Sequence, residues 1–282
     1  MTVLLRSCLF VPGNNYRAIL KTERINADAL IFDLEDAVPF EEKETARIFV
    51  RDALKRLNLG RRLKIVRINA EEGLMEEDLK AVLVGGLDGI MLPKVEGKED
   101  VLKLRNRIKD SGLNPLIIAL IESARGVIKA DEVAESVTAL AFGALDYYRT
   151  LGRNYFKFSA EQVELLYARA AIVNAAKAYG KKAIDSPFFG LIIDREGLEW
   201  EARAAWQLGF DGKLVIHPNH VEIVNEIFSP SEEDVRLAKE IVERFEMGDR
   251  TVRGRMIDYA SYAQAKDILG MHEEIVGRDE NG

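Results

Sequence analysis

The sequence predicts an α/β protein: a single (β/α)8 TIM barrel with a short C-terminal appendage. Three observations lead there. Eight short apolar runs recur along the chain, longer amphipathic stretches separate them, and no glycine-rich dinucleotide turn follows the first run. The runs are LLRSCLFVPG (4–13), ADALIFDLEDAV (27–38), RLKIVRINA (62–70), LDGIMLPKV (87–95), NPLIIALIESARGV (114–127), VTALAFGALDY (137–147), KKAIDSP (181–187) and FDGKLVIHPN (210–219). Their cores are rich in Val, Ile and Leu and do not alternate strictly with polar residues, which suits parallel strands buried on both faces. Parallel strands need crossover connections, usually helices, and eight such units close one barrel. The alternative is an open doubly wound sheet. Against it, VPGNN is not a dinucleotide fingerprint, and the chain has no Walker-type phosphate loop.

The intervening stretches read as helices. In PFEEKETARIFVRDALKRL, Ala46, Phe49, Val50, Ala53 and Leu57 fall on one helix face. SAEQVELLYARAAIVNAAKAYG offers Ser159 as N-cap and Gly180 as terminator. DREGLEWEARAAWQLG and HVEIVNEIF continue the pattern, and SPSEEDVRLAKEIVERFE opens on a cap with acids in its first turn, favourable to the helix dipole. The barrel is then assigned to residues 1–247. Residues 248–282 form the appendage, with a short loop or hairpin, one helix from about Ser261 to Leu269, and a disordered GRDENG end.

Bulk composition narrows the function classes. The 282 residues suit one barrel, and 48% hydrophobic residues can build a large core. A net charge of -7 opposes a nucleic-acid surface, which needs clustered Lys and Arg. Cys8 is the sole cysteine and lies in an apolar run, so it reads as a core residue in a chain without internal disulfides. A cytoplasmic location is therefore expected. The first residues lack a signal-peptide layout, and no run approaches the ~20 apolar residues of a membrane span, so no membrane partner is expected.

Active sites of such barrels lie at the C-terminal ends of the strands. Reading the residue after each run gives Asp33, Glu35 and Asp36, then Arg67 and Asn69, Lys94, Glu122 and Arg125, Asp146, Asp185 and His217. Carboxylates so gathered raise one another's pKa, and a hard divalent cation relieves the repulsion. Two carboxylates with waters and substrate oxygens suit Mg²⁺. Glu122 and Asp146 come from neighbouring strands and can converge on one ion. Singly, Glu122 also reads as a strand-end acid paired with Arg125, and Asp146 as a helix cap. The three histidines are not spaced to share a zinc ion, and His217 before Pro218 reads as a turn-shaping residue. Ser123 and Ser186 lack a nearby histidine base in the sequence, and Lys94 at the rim is poorly placed for a Schiff base.

The ordered motifs RSCLFVPGN, ADALIFDLEDAV, VRINA, MLPKVE, IESARGV, FGALDY, GFDGKLVIHP and GRMID cover nearly the whole chain. In this order they resemble the citrate lyase β-subunit family of HpcH/HpaI aldolase type, which includes malyl-CoA and citramalyl-CoA lyases. The resemblance implies a Mg²⁺-dependent carbon–carbon lyase acting on a CoA thioester. Its small-molecule partners are then an acyl-CoA and a 2-oxo acid, and its assembly a homo-oligomer, a trimer. It implies Glu122 and Asp146 as metal ligands, and Arg67 as the arginine that meets the reacting carbonyl. Glu35 and Asp36 become the acidic pair behind the metal waters. Phe10 and Lys21 become CoA contacts. Asp258 becomes the aspartate placed over the mouth, often from a neighbouring subunit, and outside the resemblance it reads equally as a solvated acid. The chain departs from the family pattern at Ser123, where Thr is frequent, and at His220, where Gln is. An aldolase on free 2-oxo acids and a subunit of a citrate lyase complex are the competing readings.

Overall fold

Eight parallel strands pair in sequence order, and the last pairs with the first, which closes the barrel. They are β1 (Ser7–Pro12), β2 (Ala29–Asp33), β3 (Leu63–Arg67), β4 (Gly89–Leu92), β5 (Leu116–Ile121), β6 (Ala139–Phe142), β7 (Lys182–Asp185) and β8 (Gly212–Val215). Each lies inside one of the eight runs read from the sequence. The computed structural model describes residues 3–153, 158–159 and 161–279.

Side chains alternate along each strand between the barrel interior and the helical layer. Cys8, Ile31, Ile65, Met91, Ile118, Ile184 and Leu214 belong to the interior cluster. Leu9, Phe32, Val66, Ile90, Ile117, Phe142 and Val215 belong to the larger core shared with the helices. Both faces are apolar, which is why the runs do not alternate in sequence. Cys8 is fully buried, and burial raises its thiol pKa well above the ordinary value, so it is a core residue as expected.

The helical layer comprises α1 (Tyr16–Lys21), α2 (Lys43–Arg56), α3 (Glu72–Val82), α4 (Lys98–Ile108), α5 (Ala124–Ile128), α6 (Ala130–Ala134), α7 (Ala144–Thr150), α8 (Val163–Ala178), α9 (Arg195–Leu208) and α10 (Val221–Ile227). Gly180 and Gly209 adopt left-handed backbone (φ +63° and +100°) just beyond α8 and α9, which glycine reaches without a Cβ clash. The start of α8 differs from expectation. Ser159 does not cap it; its backbone N–H and hydroxyl bond the Glu164 carboxylate, and Gln162 precedes the first helical residue.

The chain continues into α11 (Glu232–Glu246), a two-stranded hairpin of β9 (Thr251–Val252) and β10 (Arg255–Met256), and α12 (Tyr259–Asp279). Ser231 and Asp234 form a reciprocal capping box at α11. Helices α11 and α12 pack against each other. The last helix is longer than the expected Ser261–Leu269, and Gly277–Asp279 of the GRDENG end continue it; residues 280–282 lie outside the described residues. A buried tie explains the extra turns. Arg278 bonds the fully buried Asp28 through Nη1, and its Nη2 donates to Asn26 Oδ1 at 2.6 Å. Helix α12 thus lies against the N-terminal ends of the strands, where it and Val3–Arg6 enclose a cavity of about 480 Å³. No helix among the described residues is long and apolar enough to cross a membrane.

Candidate active site

The interior phase of each strand carries beyond its last apolar residue to the mouth. Ile31 is followed by Asp33, Ile65 by Arg67, Leu120 by Glu122, Ala141 by Gly143, and Cys8 by Phe10. Asp33, Arg67 and Glu122 are therefore polar residues of the mouth that lie two positions beyond an interior side chain.

Asp33 and Arg67 are register partners on β2 and β3. Arg67 donates from Nε to Asp33 Oδ1 at 2.7 Å and from Nη2 to Oδ2 at 2.6 Å. Asp33 also accepts the backbone N–H groups of Glu35 (2.9 Å) and Ala37 (3.1 Å), which curls the 34–37 turn around it. It is the structural acid of the β2 end. The Arg67 guanidinium lies 4.8 Å from the centre of the Phe10 ring, a cation–π contact that orients its plane across the mouth.

Glu35 is buried, and its oxygens approach Lys94 Nζ at 2.7 Å and Arg67 Nη1 at 3.0 Å. Neither contact has hydrogen-bond geometry, so both oxygens remain buried acceptors without a directed donor. Burial pushes the Glu35 carboxyl up, against the opposing charges of Arg67 and Lys94. Asp36 is exposed and 3.8 Å from Arg67 Nη1.

Glu122 is 6% exposed at the end of β5. Its Oε1 accepts the Lys94 backbone N–H at 2.7 Å. Burial, then the charge of Glu35, with a further contribution from Asp146, pushes its carboxyl up to about 8, against the Lys94 bond and Arg67. The pairing with Arg125 does not occur: Arg125 is 3.9 Å from Glu96. A Cβ at Gly143 would lie 2.6 Å from Glu122 Cβ and 2.8 Å from its Oε2, so the absent side chain leaves Glu122 its place. Asp146 lies in the first turn of α7, behind the cap residue Gly143, and is 3.2 Å from Arg149.

The residues present fit a hard divalent cation. Glu122 is a buried carboxyl under strong like-charge pressure, beside Glu35 oxygens that lack directed donors. Among the described residues no group of three His, Cys, Asp or Glu is gathered to hold an ion. Two carboxylates without a full protein cage suit Mg²⁺, which keeps several waters.

The structure thus brings Phe10, Glu35, Asp36, Arg67, Glu122 and Asp146 to one mouth. It does not bring Lys21 or Asp258 there. Lys21 is exposed in the last turn of α1. Asp258 precedes α12, whose body lies at the opposite end of the barrel, and it accepts the Ser261 N–H and hydroxyl at 2.8 Å each. Those bonds hold its carboxyl below the usual range.

Asp185 is a correction. It follows the interior residue Ile184 by one position and so faces the helices. There it accepts Arg169 at 2.8 and 3.1 Å and Lys213 Nζ at 2.7 Å. Asn69 likewise turns away to Leu34 O and Asp78. His217 Nδ1 accepts the Asn219 N–H at 3.2 Å, the turn-shaping role expected of it. Sequence reasoning undervalued Lys94 and Gly143. Strand parity marks Gly143 as a mouth position; the backbone turn at Lys94 leaves no such signal.

Known proteins of one family are similar to this chain. Residues 6–218 match the family described as HpcH/HpaI aldolase/citrate lyase. The citrate lyase subunit beta of Haemophilus influenzae is 35% identical, over 96% of this chain and 99% of that one. The mitochondrial citramalyl-CoA lyase of Rattus norvegicus is 34% identical, over 96% of this chain and 86% of that one. Among solved structures, protein CitE from Mycobacterium tuberculosis, in complex with magnesium, acetoacetate and coenzyme A, superposes with a TM-score of 0.77. It is 31% identical and covers 94% of this chain and 97% of that one. With its closed eight-stranded barrel and these relatives, the chain belongs to the HpcH/HpaI aldolase/citrate lyase family and is a carbon–carbon lyase.

Proposed function

We propose that this enzyme is a Mg²⁺-dependent lyase of 3-hydroxyacyl-CoA thioesters such as citryl-CoA, malyl-CoA or citramalyl-CoA. It cleaves them to, or forms them from, acetyl-CoA and a 2-oxo acid. The observation that carries the reading is Glu122, a buried carboxyl raised to about 8 beside Glu35 and Asp146, in a mouth that also presents Arg67. The magnesium and coenzyme A in the CitE relative support it. Mg²⁺ would be held by Glu122 and Asp146, with Glu35 and Asp36 accepting from its waters. When bound, it supplies Lewis-acid polarisation of the substrate's carbonyl or hydroxyl oxygen.

The chain's own groups do the rest. Asp33 takes the Nε donor and one N–H of Nη2 of Arg67, and Glu35 lies 3.0 Å from Nη1, so the second N–H of Nη2 is the donor left to face developing oxyanion charge. Phe10 holds the guanidinium plane and borders the path of the CoA arm. Lys21 offers a charge to the CoA phosphates. Asp258 of a neighbouring copy returns a proton to the enolate carbon in cleavage and removes it in synthesis. This assigns a lid role to the segment from residue 248 and a homotrimeric, cytoplasmic working form.

The test is a panel of acyl-CoA thioesters with Mg²⁺, read by mass spectrometry. Acetyl-CoA plus a 2-oxo acid is the expected product pair, abolished by Glu122→Ala or Asp146→Ala. Undiminished turnover in either variant removes the metal assignment. Turnover of pyruvate with aldehydes and no coenzyme A replaces the reading with a free-acid aldolase, and activity only with co-purifying chains replaces it with a complex subunit.

A further inference from the structure

Lys94 follows Leu92 and Pro93 at the end of β4 with φ +55°, one of three non-glycine residues with positive φ among the described residues. Glycine would adopt this backbone without a Cβ clash, whereas a lysine adopts it against one. Residues held this way are over-determined by their surroundings and concentrate at functional sites. Here the surroundings are two acids that follow different strands, Glu35 after β2 and Glu122 after β5. The Lys94 N–H donates to Glu122 Oε1 (2.7 Å), and from this left-handed backbone the side chain returns across the mouth so that Nζ meets Glu35 Oε1 (2.7 Å). One residue thus spans from the end of β5 to the turn after β2. Glu71 lies 3.9 Å from the same ammonium on the solvent side.

We propose that Lys94 is a positioning residue that holds Glu122 by its backbone and Glu35 by its ammonium, in one arrangement ready for a hydrated divalent cation. It forms no covalent bond with substrate. The left-handed φ sets the direction of the Lys94 side chain relative to its own N–H, and in this backbone both contacts come from a single residue. The role deepens the Mg²⁺ reading above and rests on it.

The sign of a Mg²⁺ titration separates positioning from simple repulsion. An ammonium that merely adds positive charge weakens cation binding, so its removal would tighten Mg²⁺. An ammonium that positions the acids strengthens binding, and loss of such outer partners typically weakens metal affinity by about 10–100-fold. The experiment is calorimetric Mg²⁺ titration of the full chain and of Lys94→Met, Lys94→Gly and Lys94→Arg, each also checked by thermal melting. The expected result is Mg²⁺ binding at least about tenfold weaker in Lys94→Met and Lys94→Gly, a fall in kcat larger than any change in KM for the acyl-CoA, and recovery of both in Lys94→Arg. Equal or tighter Mg²⁺ binding by folded Lys94→Met would overturn the role while leaving the metal reading intact. No Mg²⁺ binding by the wild type would overturn that reading and this role with it.

Discussion

Arg67 and Asp33 face each other across two neighbouring strands and meet through two parallel hydrogen bonds of 2.7 and 2.6 Å. Asp33 is 1% exposed, so the pair is formed where water contributes little. Removing one partner of a buried pair leaves an uncompensated charge, which costs about 3–5 kcal/mol. Asp33→Ala also releases the turn that presents Glu35. The expectation is a loss of about 3 kcal/mol in urea unfolding together with a fall in kcat. Arg67→Met combined with Asp33→Ala should be less destabilised than the sum of the two single changes, and strict additivity would show that the pair is not coupled.

Glu122 sets a pH dependence on the metal-free fold. Its folded carboxyl is raised to about 8 from an ordinary 4.5, so the folded state holds a proton that the unfolded chain releases earlier. Stability therefore falls as pH rises from about 4.5 to about 8, and above that range the cost of a buried ionised Glu122 is fully present. The cost is a few kcal/mol, on the order of 1.4 per unit. Glu122→Gln should melt higher than wild type at pH 9 without Mg²⁺ and match it more closely at pH 5. Parallel pH profiles for the two proteins would refute this assignment.

Lys213 is fully buried outside the barrel wall, 2.7 Å from Asp185 and 2.5 Å from Glu201. Arg169 completes the group, 3.6 Å from Glu201. Burial alone would raise the Asp185 carboxyl, but the charges of Arg169 and Lys213 outweigh it and lower it. Lys213→Met should cost about 3 kcal/mol in equilibrium unfolding. KM for the acyl-CoA should not change, because this network lies behind the sheet; a selective rise in KM at unchanged stability would place it in the site instead.

Much of this architecture was legible in the residues because strands and helices are set by local pattern. The apolar runs located all eight strands, and the strand-end rule located Glu35, Arg67 and Glu122. Strand parity separates Asp33 from Asp185: Asp33 lies two positions beyond the interior Ile31, and Asp185 one position beyond Ile184. That signal was present in the sequence, but it acquires meaning only once the interior phase of each strand is known.

By itself the sequence determined the barrel, the family and the acids at the strand ends, since these depend on spacing within one element or on ordered motifs. Tertiary structure alone decided which charges meet. The tie between Arg278 and Asp28 joins residues 250 positions apart and extends a helix that local pattern ends too early. The left-handed turn at Lys94 joins Glu122, 28 positions away, to a mouth shared with Glu35. Such pairings follow from barrel closure and from low-dielectric burial, which make an ionic partner obligatory without encoding its place in the chain.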